Sequence, residues 1–313
     1  MVQVYLLLFA GLALLFVSGR FLVDSSVVIS RRLHIPRMVI GLTVVAFGTS
    51  APELLVSLQA SFSGYPEIAI GNVVGSNISN ILLVLALTAL IFPISAPASS
   101  VKYDWPIMMG VSLLFFAFSL DGLISRMEGA ILVVLLASYI LFSVLRSKGM
   151  DQGAKKEPDR DRMKWWVAGI LFLISCVGLA KGADMLVDNV AVIAREIGIS
   201  NRVVSITMVA VGTSIPELAT SVIAALKKET DISVGNIIGS NIMNILSVLG
   251  VTSLINPVSV SPAIAHFDIP WMLGVTLLML LMMLPASRSR ITRWEGLLMI
   301  VIYLLYIYFL IRT

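Results

Sequence analysis

Charge is what this sequence has least of. Only 13% of its 313 residues are Asp, Glu, Lys or Arg, about half the share of a soluble globular domain. Meanwhile 58% are hydrophobic and the mean hydropathy is +0.99, which excludes an ordinary water-soluble fold. A single cysteine, Cys176, excludes an intrachain disulfide, and it lies in an apolar run as a small buried or lipid-facing side chain. The two histidines, His34 and His266, fall in expected loops, and no HExxH sequence occurs. They offer no resident metal set, so no cofactor is expected. The apolar stretch from Met1 to Val17 has no basic flank and no small-x-small cleavage site. It runs on through Arg20 and Asp24, as a retained first span would.

What the sequence has is apolar length. Ten segments approach the roughly 20 residues that a spanning helix needs: 3–29, 38–60, 68–92, 104–120, 127–145, 165–190, 203–225, 233–255, 267–285 and 294–311. With both termini on one side, 16 of the 22 basic residues fall on the loops of the other side, Arg146 to Lys164 prominent among them. The excess of positive charge predicts that loop 146–164 is cytoplasmic and both termini outside. The pI near 9.3 is thereby accounted for as membrane topology, with no nucleic-acid partner. The five tryptophans, Trp105, Trp165, Trp166, Trp271 and Trp294, fall near span ends, as an aromatic belt does.

The chain is also duplicated. GLTVVAFGTSAPELL at 41–55 matches SITMVAVGTSIPELA at 205–219 in 9 of 15 positions, and GNVVGSNISNIL at 71–82 matches GNIIGSNIMNIL at 235–246 in 9 of 12. Both pairs lie 164 residues apart, and the offset holds from Asp24/Asp188 through Asp104/Asp268; a three-residue insertion then aligns Glu128 with Glu295. The expected organisation is a first five-helix repeat (1–146), a polar cytoplasmic linker (147–164) and a second repeat (165–313). Five spans per repeat is an odd number, so the second repeat enters the membrane in the opposite sense. The expected fold is therefore an all-α membrane protein of ten transmembrane helices in two inverted-topology repeats, an arrangement used by secondary transporters.

Glu53 and Glu217 lie mid-span, each in G-T-S-x-P-E. A carboxylate at that depth costs on the order of 2.5–3.5 kcal/mol by insertion scales. Pro52 and Pro216 each remove a backbone donor, so the helix is expected to open and free carbonyls around Ala46 and Thr49, and around Ala210 and Thr213. Thr49, Ser50, Thr213 and Ser214 add hydroxyls. Carboxylate, carbonyl and hydroxyl oxygens are the ligands of hard cations such as Ca²⁺. One such motif alone also fits a proline kink whose Ser and Thr re-satisfy the backbone. Two copies, with no base placed mid-span to neutralise either Glu, favour cation binding. In the second motif, Gly71/Gly75 and Gly235/Gly239 are small-xxx-small pairs for close helix approach. Ser76 and Asn80, like Ser240 and Asn244, share a helix face and are assigned to binding. For Asn72, Asn77, Asn236 and Asn241, binding and interhelical bonding remain open. Arg20, Asp24, Lys181, Asp184 and Asp188 read as structural ion pairs, and Asp104 and Asp268 as helix starts.

The paired G-T-S-x-P-E and G-N-x-x-G-S-N-I-x-N segments resemble the two α-repeats of the cation/calcium exchanger superfamily, in its prokaryotic sodium/calcium exchanger branch, over essentially the whole chain. The resemblance implies four cation sites in a diamond at the membrane centre. It implies Glu53 and Glu217 shared between Ca²⁺ and Na⁺, Ala46, Thr49, Ser50 and Ser76 on one flank, Ala210, Thr213, Ser214 and Ser240 on the other, and Asn80 and Asn244 in the middle. Some relatives carry Asp where this chain has Asn244, and the proton/calcium branch carries an extra acid in each second motif. Here both positions are amides.

The expected function is a Na⁺/Ca²⁺ antiporter of a prokaryotic cell (plasma or inner) membrane, multi-pass, electrogenic and monomeric, with Na⁺, Ca²⁺ and the lipid bilayer as its partners. A proton-coupled or otherwise selective member of the same superfamily is the alternative. A membrane-embedded enzyme needs a nucleophile, a metal set or an acid pair sharing a water, and none is apparent. A channel usually builds its filter from a symmetric ring, which the inverted repeat does not suggest.

Overall fold

The computed structural model describes residues 2–150, 163–196, 212–284 and 290–312. Within them the chain is helical apart from turns and four two-residue strands. Helix α1 (Val2–Leu33) leads into α2 (Arg37–Thr49), α3 (Ala51–Phe62), α4 (Glu67–Ile91), strand β1 (Ile94–Ser95), α5 (Ser100–Ser119), β2 (Leu123–Ile124) and α6 (Arg126–Met150). The second half repeats the order: α7 (Trp165–Glu196), α8 (Ile215–Leu226), α9 (Thr230–Ile255), β3 (Val258–Ser259), α10 (Ile264–Met283), β4 (Arg290–Ile291) and α11 (Arg293–Arg312). Eight helices are long and apolar enough to cross a membrane, and α2 with α3, bent by 41°, adds a ninth among the described residues. The protein is a multi-pass membrane protein. The segment expected at 203–225 lies partly outside the described residues, and α8 is its described part.

Burial separates centre from periphery. In α4 and α9, 78% and 89% of the apolar stretch is buried, against 22–39% in the six other long helices. The helices that carry the second motif are thus wrapped by the others. Helix α9 lies directly on α2 because glycine removes the side chain between them. A Cβ on Gly235 would stand 2.7 Å from the Met38 carbonyl oxygen, and one on Gly239 2.5 Å from that of Leu42. Both neighbours are rigid backbone, so the two helices meet at a separation that only glycine permits.

The strands tie the halves together crosswise. Ile94 and Ser95 of β1 pair antiparallel with Ile291 and Arg290 of β4, while Leu123 and Ile124 of β2 pair with Ser259 and Val258 of β3. Helices α5 and α10 pack together, and each end of one is bridged to the opposite end of the other. The two equivalent helices therefore run antiparallel. They begin earlier than the sequence suggested, at Ser100 and Ile264, because a π-helical turn precedes Trp105 and Ile269. Asp104 and Asp268 consequently sit one turn inside the helix, where they are not helix starts. Asp104 pairs with Arg146 at 2.9 Å, and Asp268 accepts a hydrogen bond from Tyr306 at 2.9 Å.

Two further ion pairs join the halves. Arg37, at the start of α2, donates to both carboxylate oxygens of Glu229 at 2.9 and 2.7 Å, and Lys227 pairs with Asp24 of α1. Lys181 pairs with Asp184 on its own helix at 3.2 Å. The structural reading of Asp24, Lys181 and Asp184 matches these contacts. The tryptophan belt is narrower than expected. Trp165, Trp166 and Trp294 are exposed at helix starts, but Trp105 donates to the Thr276 carbonyl at 2.7 Å and Trp271 packs on Tyr306 and Phe309.

Candidate cation site

The two GTSxPE segments adopt one geometry. Ser50 leaves the helical conformation at φ −85°, ψ 5°, and Ser214 at φ −84°, ψ 1°. Proline in the first turn of α3 and of α8 has no N–H to give, so the carbonyls of Gly48 and Gly212 lose their i+4 donors. The Ala46 carbonyl does not open as expected. It accepts the Ser50 N–H at 2.9 Å, and the Thr49 hydroxyl lies 3.3 Å away. Ala210 lies outside the described residues.

The break sets Glu53 and Glu217 in the first turns of α3 and α8, at the positive ends of those helices. Both are essentially inaccessible to solvent. The Glu217 Oε1 accepts from Ser50 at 3.3 Å and from Ser240 at 3.5 Å, and Ser240 lies 3.4 Å from the Thr49 hydroxyl. Its Oε2, and both carboxylate oxygens of Glu53, find no hydrogen-bond partner among the described residues. No basic side chain pairs with either Glu among those residues, and no three His, Cys, Asp or Glu converge there. Buried acceptors without donors are costly, and a cation or a proton resolves that cost.

The predicted residues sort into a clear set. The second-motif serines are crossed relative to expectation: Thr49, Ser50, Glu217 and Ser240 are linked by hydrogen bonds, whereas Ser76, expected beside Thr49, bonds Thr213 of the other half at 3.0 Å. Ser214 is buried with its hydroxyl unpartnered among the described residues. Asn80 and Asn244 are fully buried, and each opens a π-helical turn, Asn80–Leu85 and Asn244–Leu249. Such wide turns gather at functional sites. The turn opened by Asn80 packs on α8, and that opened by Asn244 on α3, the acidic helices of the opposite halves. Neither polar atom of Asn80, nor the Asn244 Oδ1, has a partner among the described residues, while the Asn244 amide donates to Asn77 at 3.2 Å. No hydrogen bond ties Asn80 or Asn244 to the two acids.

Sequence reasoning left Asn72 and Asn236 undecided and passed over Ser57 and Ser221. Asn72 donates to the Glu53 carbonyl at 3.2 Å and to Ser57 at 3.0 Å; Asn236 donates to the Glu217 carbonyl at 3.5 Å and to Ser221 at 3.1 Å. The signal was present, since Ser57 and Ser221 stand one turn after each Glu and hold the same 164-residue offset.

The family model described as Sodium/calcium exchanger protein matches the chain twice, over residues 3–145 and 167–312. The putative antiporter CaxA of Alkalimonas amylolytica is 39% identical over 316 residues, 97% of each chain, and the sodium/calcium exchanger MaX1 of Methanosarcina acetivorans is 32% identical over 341 residues, again 97% of each. A structure of the sodium-calcium exchanger NCX_Mj superposes with a TM-score of 0.83 at 33% identity, covering 98% of this chain and 99% of that one. These are ion exchangers rather than enzymes, and the chain belongs to the sodium/calcium exchanger family.

Proposed function

We propose that the protein is a secondary antiporter that exchanges Na⁺ for Ca²⁺ across the cell membrane by alternating access. The observation that carries this is the buried oxygen cluster astride both halves, with two carboxylates, three of whose oxygens lack donors among the described residues, and no base beside them. Glu53, Glu217, Thr49, Thr213, Ser50, Ser214, Ala46, Ala210, Ser76, Ser240, Asn80 and Asn244 are the proposed ligand set. Ala46 contributes through a carbonyl that already accepts the Ser50 N–H. Two ionised carboxylates give the centre a charge of about −2, which one Ca²⁺ neutralises. Three Na⁺ would leave one positive charge, so a three-to-one exchange is electrogenic.

The proposed architecture is ten spans in two inverted repeats of five, 1–146 and 165–313, joined by a cytoplasmic linker, with both termini outside. The strand bridges support it. If the halves entered the membrane in the same sense, β1 and β3 would lie on one side and β2 and β4 on the other, and β1 could not reach β4. The pairing of β1 with β4 and β2 with β3 suits opposite senses. One chain supplies both acids, so a monomer is the proposed transport unit.

The test is Ca²⁺ uptake into proteoliposomes loaded with Na⁺, repeated with K⁺ or a pH gradient in place of Na⁺. Uptake driven by Na⁺ alone is expected. Uptake driven equally by a pH gradient would overturn Na⁺ coupling in favour of proton coupling, and uptake without any opposing ion would indicate a channel.

A further inference from the structure

We infer that Asn72 and Asn236 are positioning residues, each of which orients a threonine hydroxyl of the opposite half so that its oxygen faces the cation. The inference rests on the cation-binding reading above and assigns work to two residues outside the proposed ligand set.

The geometry is reciprocal. The Asn236 side-chain carbonyl accepts the Thr49 hydroxyl at 3.1 Å, and that of Asn72 accepts the Thr213 hydroxyl at 3.2 Å. Each amide group meanwhile donates within its own half, to a Glu carbonyl and a Ser hydroxyl. A backbone carbonyl can only accept, so it fixes which end of the side-chain amide is nitrogen. The oxygen is thereby pointed at the threonine. Both asparagines are at most 1% exposed, so water does not compete for these bonds.

The consequence for binding follows from the hydroxyl's single proton. A threonine oxygen that binds a cation presents its lone pairs, and its proton must point elsewhere. A buried acceptor on the side away from the cation supplies that direction in advance. The Thr49 hydroxyl also lies 3.3 Å from the Ala46 carbonyl, itself a proposed ligand. The Asn236 oxygen offers the proton a receiver that leaves Ala46 turned to the ion. Partners one step behind metal ligands typically contribute about 10–100-fold in metal affinity.

Each asparagine also reads the position of both halves at once, because it holds its own glutamate segment and the other half's threonine. The effect should therefore cross between halves. Asn236 should act through Thr49, and Asn72 through Thr213.

Ca²⁺ binding to the purified full chain in detergent, read as the Ca²⁺ dependence of its thermal unfolding, provides the test. It needs no Na⁺ gradient, so its outcome is separate from that of the flux assay. Asn236→Ala and Asn72→Ala are each expected to weaken Ca²⁺ binding about tenfold. Combined with Thr49→Val, Asn236→Ala should add almost nothing further, and the same holds for Asn72→Ala with Thr213→Val. The crossed combinations, Asn236→Ala with Thr213→Val and Asn72→Ala with Thr49→Val, should multiply. Asn72→Thr and Asn236→Thr, whose hydroxyl stops short of the amide's reach, serve the same cycle if the alanine variants do not fold. Multiplicative effects in all four combinations, or unchanged affinity with only the unfolding temperature lowered, would overturn the inference. A wild-type protein that binds no Ca²⁺ would overturn both this inference and the ligand set beneath it.

Discussion

At the residue scale the two glutamates dominate, and their carboxylates were the most legible feature of the sequence. A carboxylate in an apolar run with no base nearby has few structural explanations, and the duplication removed most of those. Glu53→Gln and Glu217→Gln keep shape and hydrogen-bonding capacity but remove half the charge of the site. Each is expected to abolish Na⁺-driven Ca²⁺ uptake while the protein still elutes as a folded species in detergent. Near-normal flux in either variant would mean the acids are structural. Asn244 opens the turn that packs on α3, the acidic helix of the first half. Asn244→Asp adds a third titratable carboxyl there, and like charges in a poorly solvated space resist joint ionisation. Flux in that variant should become more pH-dependent than in wild type, whereas Asn244→Ala should weaken Ca²⁺ binding without changing the pH profile. One shared profile with unchanged affinity would show that Asn244 does not face the ion. The asparagines behind the threonines were less legible. An amide in a helix reads equally as glue or ligand until its partners across the protein are known.

At the element scale, the break at Ser50 and Ser214 followed directly from proline, and the close approach of α9 to α2 followed from the glycine spacing. What the pattern did not reveal is the π-helical turns. They leave the apolar periodicity of α5 and α10 uninterrupted while moving the helix start ahead of Asp104 and Asp268. Asp104 is instead half of a buried ion pair with Arg146, whose guanidinium also lies over the Tyr103 and Phe142 rings at 4.9 and 5.8 Å. Removing one partner of a buried pair costs about 3–5 kcal/mol, whereas replacing both with apolar or neutral groups often costs little. Arg146→Met should therefore lower the unfolding temperature in detergent more than the double substitution Asp104→Asn/Arg146→Met. Equal or greater destabilisation by the double variant would show that the pair's contribution lies in its packing.

The duplication made much of the whole molecule legible before any coordinates, since one offset aligned motifs, prolines and acids. The identities that break the offset carry separate information. Arg37, Lys227 and Glu229 correspond to Asn201, Ser63 and Tyr65, so the ion pairs of Arg37 with Glu229 and Lys227 with Asp24 cannot be rebuilt at the equivalent places in the other half. At the site, both middle positions are amides, and among the described residues no third carboxylate is present to hold an additional cation. Na⁺-driven uptake should then respond to a clamped membrane potential and proceed without K⁺; an absolute K⁺ requirement or indifference to voltage would contradict this.

The two unmatched ion pairs both lie where α1 ends, α2 begins and α8 turns into α9. Identical halves would make an antiporter a fair coin, with its two open states related by the pseudo-two-fold and equal in energy. Pairs with no counterpart at the equivalent positions weight that coin towards the state in which they are formed. Partly exposed pairs contribute about 0.2–1 kcal/mol each, and every 1.4 kcal/mol is about a tenfold change in population. A ligand meeting the rarer state sees its affinity reduced by that state's fraction. One ligand set would then show two thresholds, with half-saturating Ca²⁺ about two- to thirtyfold higher from the face open in the disfavoured state. Lys227→Ser, which installs the residue found at the equivalent position, should narrow the gap when uptake is measured from each side of oriented vesicles. The protein would act as a partial rectifier, with its preferred direction written in three side chains that never touch the ion.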